Sequence, residues 1–266
     1  MRDLPLNSNL TLRQQTILDI ARREGRVLVE PVAEELQVTP QTIRRDLTEL
    51  CRVRLLQRVH GGAIAFDGVE NLGYEARTKM AAESKSAIGK ATAKLIANDS
   101  SLFINIGTTT EQVARHLMAH LGLLVVTNNL NVINILRRNE SIDVMTAGGS
   151  VRSEDGGIVG ESATRFIDQF KLDYAIIGVS AIEDDGTILD FDSREVCVTQ
   201  AIIRNSRSVI LVADGLKFQR KAAVRVCNIS EIDYFITDQK PPDGFISVCS
   251  EHNVVITSTS VSREGK

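Results

Sequence analysis

The segment that most constrains the fold is residues 38–63, which read VTPQTIRRDLTEL and then CRVRLLQRVHGGA. Thr39 is a good helix N-cap, and Pro40 falls at the first helical position, where its missing N–H costs nothing. Ile43, Leu47 and Leu50 then recur at i, i+4 and i+7, which predicts one buried stripe. Gln41, Thr42, Arg44, Arg45 and Thr48 fall off that stripe and make a polar, cationic face. Guanidinium and amide groups are the side chains best matched to base edges and phosphates. Taken alone, a helix with two arginines is an ordinary solvated surface. Its neighbours in the chain change the reading.

Upstream, residues 31–36 predict a short helix with Val32, Ala33 and Leu36 inward, joined to the next helix through Gln37 and Val38. That is the helix-turn-helix arrangement. Further upstream, residues 12–23 carry Ile17, Ile20 and Ala21 at helical spacing and stop near Gly25. Downstream, Leu56 and Val59 flank Arg58, and His60, Gly61 and Gly62 follow, which reads as a strand and a glycine turn. Three helices and such a wing predict a winged helix-turn-helix. Its recognition helix, residues 40–53, is expected to enter a DNA major groove. Thr39, Gln41, Thr42, Arg44 and Arg45 would face the duplex, and Arg58 and His60 of the wing would face its backbone.

Charge supports a local rather than a global interaction. The chain of 266 residues has a net charge of −3, which argues against nonspecific coating of nucleic acid. Within residues 38–63, however, Arg44, Arg45, Arg52, Arg54 and Arg58 face only Asp46 and Glu49. No apolar run approaches the ~18 residues that a membrane span needs. The start, MRDLPLNSN, lacks the apolar core of a signal peptide. Cys51, Cys197, Cys227 and Cys249 are scattered, without the paired spacing of a zinc or redox motif. A cytoplasmic protein without a membrane partner is therefore expected.

Residues 65–83 read as a linker running into a helix, between a head at 1–64 and a second domain at 84–258, with a tail at 259–266. In the second domain, apolar strands at 102–106, 124–127, 142–146, 174–179, 208–213, 234–237 and 254–257 are interspersed with helical patterns at 84–97, 111–121, 130–138, 162–170 and 194–204. Such alternation predicts an α/β, doubly wound, mostly parallel sheet with helices on both faces.

In such sheets small molecules bind beyond the carboxyl ends of the strands. Gly107, Thr108, Thr109 and Thr110 follow the first strand and open a helix, a place that favours an anion. Asn128 and Asn129 follow the second strand; Gly148, Gly149 and Arg152 follow the third; Asp190, Asp192 and Glu195 come after the fourth; Lys217 lies beyond the fifth. Gly107 to Thr110, Arg152 and Lys217 suit a phosphate, whereas Asn128, Asn129, Asp190 and Asp192 suit hydroxyl groups. A small phosphorylated polyol would use both sets. An enzyme on the same sheet, with Asp190, Asp192 or Glu195 as base, is the competing reading. A catalyst does not need a DNA-reading head. His116 and His120 mimic half a zinc site at i, i+4, but nothing supplies a further ligand, so they are expected to be surface histidines, with no metal and no cofactor.

The stretch TPQTIRRDL with LLQRVHGGA downstream resembles the DNA-binding head of the DeoR family of bacterial transcriptional repressors. LFINIGTTTEQVA, VVTNNLNV and AGGSVRSEDGGIVGE are similar to the family's second domain, so the resemblance covers most of the chain, about residues 12–238. It implies an effector domain shaped like ribose-5-phosphate isomerase and the CoA transferases. It also implies operator DNA as partner, glycerol 3-phosphate or a related phosphorylated polyol or sugar as effector, and self-association as dimer or tetramer. Where many members carry a lysine one turn after Glu195, this chain has Thr199.

Overall fold

Thr39 and Pro40 begin a helix where the sequence places one. In the computed structural model, which describes residues 10–24, 26–52, 55–59, 61–65 and 74–259, that helix is α3 (Pro40–Arg52). The chain falls into two units, residues 1–72 and 73–266. The first contains α1 (Leu12–Glu24), β1 (Arg26–Leu28), α2 (Val29–Glu35), α3, β2 (Leu56–Val59) and β3 (Gly62–Ala65). Ile43, Leu47 and Leu50 are fully buried and pack with Ile17, Ile20, Val32 and Leu56. The turn between α2 and α3 passes through Gln37 at φ 53°, the left-handed region. Residues Gly25, Val53, Arg54 and His60 lie outside the described residues.

The wing has two strands more than the sequence suggests. β1 pairs antiparallel with β3, which also pairs with β2. Three residues, RVL, are too few to show a period. Gly62 is required by this pairing, because a Cβ there would lie 2.0 Å from the Val27 carbonyl oxygen. Replacing Leu47 with alanine should cost the head about 2–5 kcal/mol through transfer and cavity terms. Chemical unfolding followed by a probe in the head would measure it.

The second unit opens with α4 (Tyr74–Lys79), inside the expected linker, and α5 (Ala82–Ala93). There follow β4 (Ser101–Ile104), α6 (Thr108–Leu117), β5 (Leu123–Thr127), α7 (Leu130–Leu136), β6 (Ile142–Thr146), the hairpin β7 (Ser150–Val151) and β8 (Ile158–Val159), α8 (Glu161–Ile167), and β9 (Leu172–Ile177). Next come β10 (Ala181–Ile182), β11 (Thr187–Asp190), α9 (Ser193–Arg204), β12 (Ser206–Val212), a 3-10 turn (Gly215–Gln219), β13 (Val224–Asn228), β14 (Tyr234–Thr237), α10 (Asp243–Glu251) and β15 (Val255–Ser258). Seven parallel strands run in the order β15-β14-β12-β9-β4-β5-β6.

Period-two alternation splits this sheet between two cores. Leu102, Ile104, Val125, Ile176, Ile210 and Ile236 face one side, against Ile88 of α5, Val113 and Leu117 of α6 and Val132 of α7. Phe103, Val126, Ala175, Ile177, Leu211 and Phe235 face the other, against Ile167 of α8, Ile202 of α9 and Phe245 of α10. The sheet is therefore doubly wound. Strand order reverses between β4 and β9, which puts the switch point, where such sheets bind ligands, at the ends of those two strands. A smaller antiparallel sheet, β10-β11-β13, was not expected from the sequence, nor was α10. No helix among the described residues is long and apolar enough to cross a membrane.

Candidate functional site

On α3 the cap and the face follow from the same few residues. The Thr39 hydroxyl accepts the Thr42 N–H at 3.3 Å and meets the Thr42 hydroxyl at 2.9 Å, so both threonines are partly spent on the helix start. Gln41, Arg44, Arg45 and Thr48 are exposed. Arg44 reaches Glu30 of α2 at 3.0 Å, with both side chains largely in solvent. Exposed pairs of this kind contribute about 0–1 kcal/mol, so Glu30 holds Arg44 only weakly. Asp46, which looked from the sequence like one of two acids diluting the patch, is buried and takes two bonds from Arg13 of α1, at 2.5 and 3.3 Å. It ties α1 to α3 and leaves the cationic face uncompensated on that side. Arg58 stands in β2 opposite Ala63. His60 lies outside the described residues.

At the switch point, Gly107 takes φ 152°, a positive value that favours glycine, and α6 begins at the next residue. The Thr110 hydroxyl turns inward, to the carbonyl oxygens of Asn105 at 2.9 Å and Gly107 at 2.7 Å. Its donor is thereby used up, so the structure does not support it as a ligand contact. Thr108 and Thr109 make no side-chain hydrogen bond among the described residues. Asn105, which the sequence reading passed over, bridges the switch: its Oδ1 accepts the Gly178 N–H at 2.9 Å, and its Nδ2 lies 3.4 Å from Thr199 Oγ1.

Asn129 is the N-cap of α7, accepting the N–H groups of Asn131 at 2.9 Å and Val132 at 3.4 Å, while its Nδ2 donates to Glu111. That leaves little for a ligand. Asn128 donates to the Ile158 carbonyl at 3.0 Å, and its buried Oδ1 has no partner among the described residues. Asp190 accepts through Oδ1 from the Ser180 hydroxyl at 2.9 Å and the Phe191 N–H at 2.7 Å.

Arg152 departs most from expectation. It forks onto Asp155 at 3.1 and 2.7 Å, and also meets Asp192 at 3.1 Å and Glu195 at 2.6 Å. The guanidinium is committed to three carboxylates rather than held open for a phosphate. Asp192 caps α9, and Arg194 together with Arg152 holds its carboxyl down at about 2. Burial, reinforced by nearby Asp190, raises the Glu195 carboxyl well above the usual range in spite of Arg152.

The open positive charge lies elsewhere. Lys217, in the 3-10 turn that Asp214 caps, has no hydrogen-bond acceptor for its ammonium among the described residues. Burial and then the neighbouring Arg220 push it down to about 7. Lys85 of α5 is driven down to about 8, mainly by burial. Arg77 of α4, half-buried and with its Nε unpartnered among the described residues, acts on both lysines. Arg77, Lys85, Lys217 and Arg220 thus share one field, opposed chiefly by Asp214. The signal for Lys85 was present in the sequence, since it sits on the buried stripe of its helix with Ile88 and Thr92. The histidines are not free surface groups: His116 meets Ser86, and His120 bonds the carbonyls of Ala93 and Ile96.

A helix-turn-helix head followed by a sheet domain with cations gathered near its strand ends defines a DNA-binding regulator with a sensor. Residues 13–68 match the DeoR-like helix-turn-helix domain and residues 80–239 the DeoR C terminal sensor domain. The chain belongs to the DeoR family. The Glycerol-3-phosphate regulon repressor of Haemophilus influenzae is 46% identical over 241 residues, 91% of this chain and 94% of that protein. The protein of the same name from Escherichia coli K12 is 44% identical over 244 residues, 92% of this chain and 97% of its own. A solved D-ribose-5-phosphate isomerase in complex with phospho-erythronic acid covers 52% of this chain and 54% of its own at 14% identity, with a TM-score of 0.40. The strand order above, not that likeness, defines the fold.

Proposed function

We propose that this chain is a DNA-binding transcriptional repressor of glycerol and glycerol-3-phosphate metabolism genes, released from its operator when glycerol 3-phosphate binds the sensor domain. It is a regulator and not an enzyme, in keeping with the repressors it resembles over most of its length. The observation that carries the effector assignment is the unpartnered ammonium of Lys217 beside Arg77, Lys85 and Arg220. A phosphate dianion placed there would satisfy a half-buried cation that has no acceptor among the described residues. The free hydroxyls of Thr108 and Thr109 and the orphan Oδ1 of Asn128 are the groups suited to the polyol end.

On DNA, Gln41, Thr42 and Arg44 or Arg45 read base edges from α3, and the wing meets the backbone. One head reads few base pairs, so a symmetric dimer or tetramer on repeated half-sites is required for specificity. Arg45→Ala should weaken operator binding by about 1–3 kcal/mol if it forks onto a guanine. If it meets only phosphate, it should instead lower the salt slope by roughly one. A mobility-shift titration at several salt concentrations separates these, and no change in either quantity would remove Arg45 from the interface. For the effector, calorimetry with glycerol 3-phosphate, glycerol and inorganic phosphate should show tight binding of the first alone. Equal weak binding of all three would overturn the inducer assignment and leave the DNA reading standing.

A further inference from the structure

The four cations near the strand ends do not stand in the same condition. Lys217 has no acceptor among the described residues, whereas Lys85 donates to two main-chain carbonyls, those of Arg77 and of Met80, the latter at 2.8 Å. Arg77 gives one arm to Asp155 at 3.2 Å and leaves its Nε buried without an acceptor. All of these bonds end on α4 or on the turn just after it.

The other end of α4 is fastened too. The Tyr74 hydroxyl donates to Glu111 at 2.7 Å and accepts from Asn131 at 3.1 Å. Glu111 lies in the first turn of α6, which opens after Gly107, and Asn131 in the first turn of α7, which Asn129 caps. α4 is six residues long, YEARTK, and offers little apolar surface. A helix this short does not hold itself in water, so its seating depends on these polar bonds. Among the described residues it is also the first helix after the head in the chain.

We propose that α4 is a latch whose seating the effector competes for, an inference that rests on the effector assignment above. Two of the three N–H groups of Lys85 are committed to carbonyls of this segment. A phosphate oxygen is the stronger acceptor for an ammonium, because it carries net negative charge where a main-chain carbonyl carries only a dipole. Phosphate between Lys217 and Lys85 therefore draws Lys85 off α4 and competes with Asp155 for Arg77. Seated α4 goes with the operator-binding form and unseated α4 with the effector-bound form. Reciprocity then requires that loosening the latch tighten the effector and weaken the operator by related factors.

The test uses the full-length protein. With glycerol 3-phosphate at saturation by calorimetry, amide hydrogen exchange across residues 74–80 should accelerate by about tenfold, while β4 and β9 stay protected. Tyr74→Phe, which removes only the hydroxyl, should bind glycerol 3-phosphate about five- to tenfold more tightly and the operator more weakly by a similar factor. Effector binding with unchanged exchange at residues 74–80 overturns the latch alone. So does a Tyr74→Phe protein in which both affinities fall together or neither moves. Absence of any glycerol 3-phosphate binding overturns the effector assignment first, and the latch with it.

Discussion

Arg152→Met should destabilise the sensor domain by about 3–5 kcal/mol at pH 8, because removing one partner of a buried ion pair strands the others. Asp155 keeps Arg77 and Asp192 keeps Arg194. Glu195 has no such reserve: it is buried, and Asp190 is close enough to raise its carboxyl further. Its remaining recourse is to take up a proton. A carboxyl raised in the folded state binds protons that the unfolded chain releases, so stability falls as pH rises from the ordinary carboxylate range toward the raised value. Without Arg152 that value moves higher still, and the deficit of the variant should be larger at pH 8 than at pH 5.5. Urea unfolding at the two pH values measures it. Unchanged stability at both, with only effector affinity lost, would return Arg152 to the phosphate-binding role that its position in the sequence suggests.

The example shows where sequence stops being informative. Local features were legible: the Thr39 cap, the Ile43, Leu47 and Leu50 stripe, and the apolar strands after whose ends the candidate ligand groups lie. Each is decided by residues within one or two turns or along one strand. The sheet β10-β11-β13 was not legible, since it pairs residues 187–190 with 224–228 across α9 and β12 and interrupts the strand–helix alternation on which the sequence reading rests. α10 was hidden behind PPDG, which reads as a turn, although Phe245 and Cys249 sit one helical turn apart and are both buried. The candidate site shows a further limit. Position after a strand indicates which side chains are near a ligand, but not which donors are already occupied. Thr110 and Asn129 are spent on helix starts, and Arg152 is spent on carboxylates that come largely from α9, forty residues downstream. Conversely, Arg77 and Lys85 join Lys217 only because α4 and α5 pack near the strand ends, a long-range consequence that no local spacing encodes.

Lys217→Met should leave operator binding intact and abolish its relief by glycerol 3-phosphate. Truncating one partner of a buried, hydrogen-bonded charge pair costs about 2–5 kcal/mol, which corresponds to roughly 30-fold or more in effector affinity. Folding should not suffer, because the half-buried ammonium makes no hydrogen bond among the described residues and methionine keeps an unbranched chain of similar length. The wild-type protein carries a matching pH signature. Lys217 stands at about 7, below the lysine value of 10.5, so between those limits the unfolded chain binds more protons and stability rises with pH. Effector binding runs the opposite way, since it requires the protonated amine: affinity should be fullest below pH 7 as far as Lys217 is concerned, and should fall by at least about tenfold between pH 7 and pH 9. Lys85, at about 8, steepens the fall at its upper end. The phosphate is already largely dianionic at pH 7, with its second ionisation near pH ~6, so its own titration cannot produce a decline in that range. Calorimetry at pH 7, 8 and 9 in buffers of different ionisation enthalpy should show net proton uptake on binding. Lys217→Met should lose the Lys217 share of that uptake and of the alkaline rise in stability, leaving only the part that Lys85 contributes at its upper end. If proton uptake and affinity are both unaltered in the variant, the phosphate does not sit on Lys217.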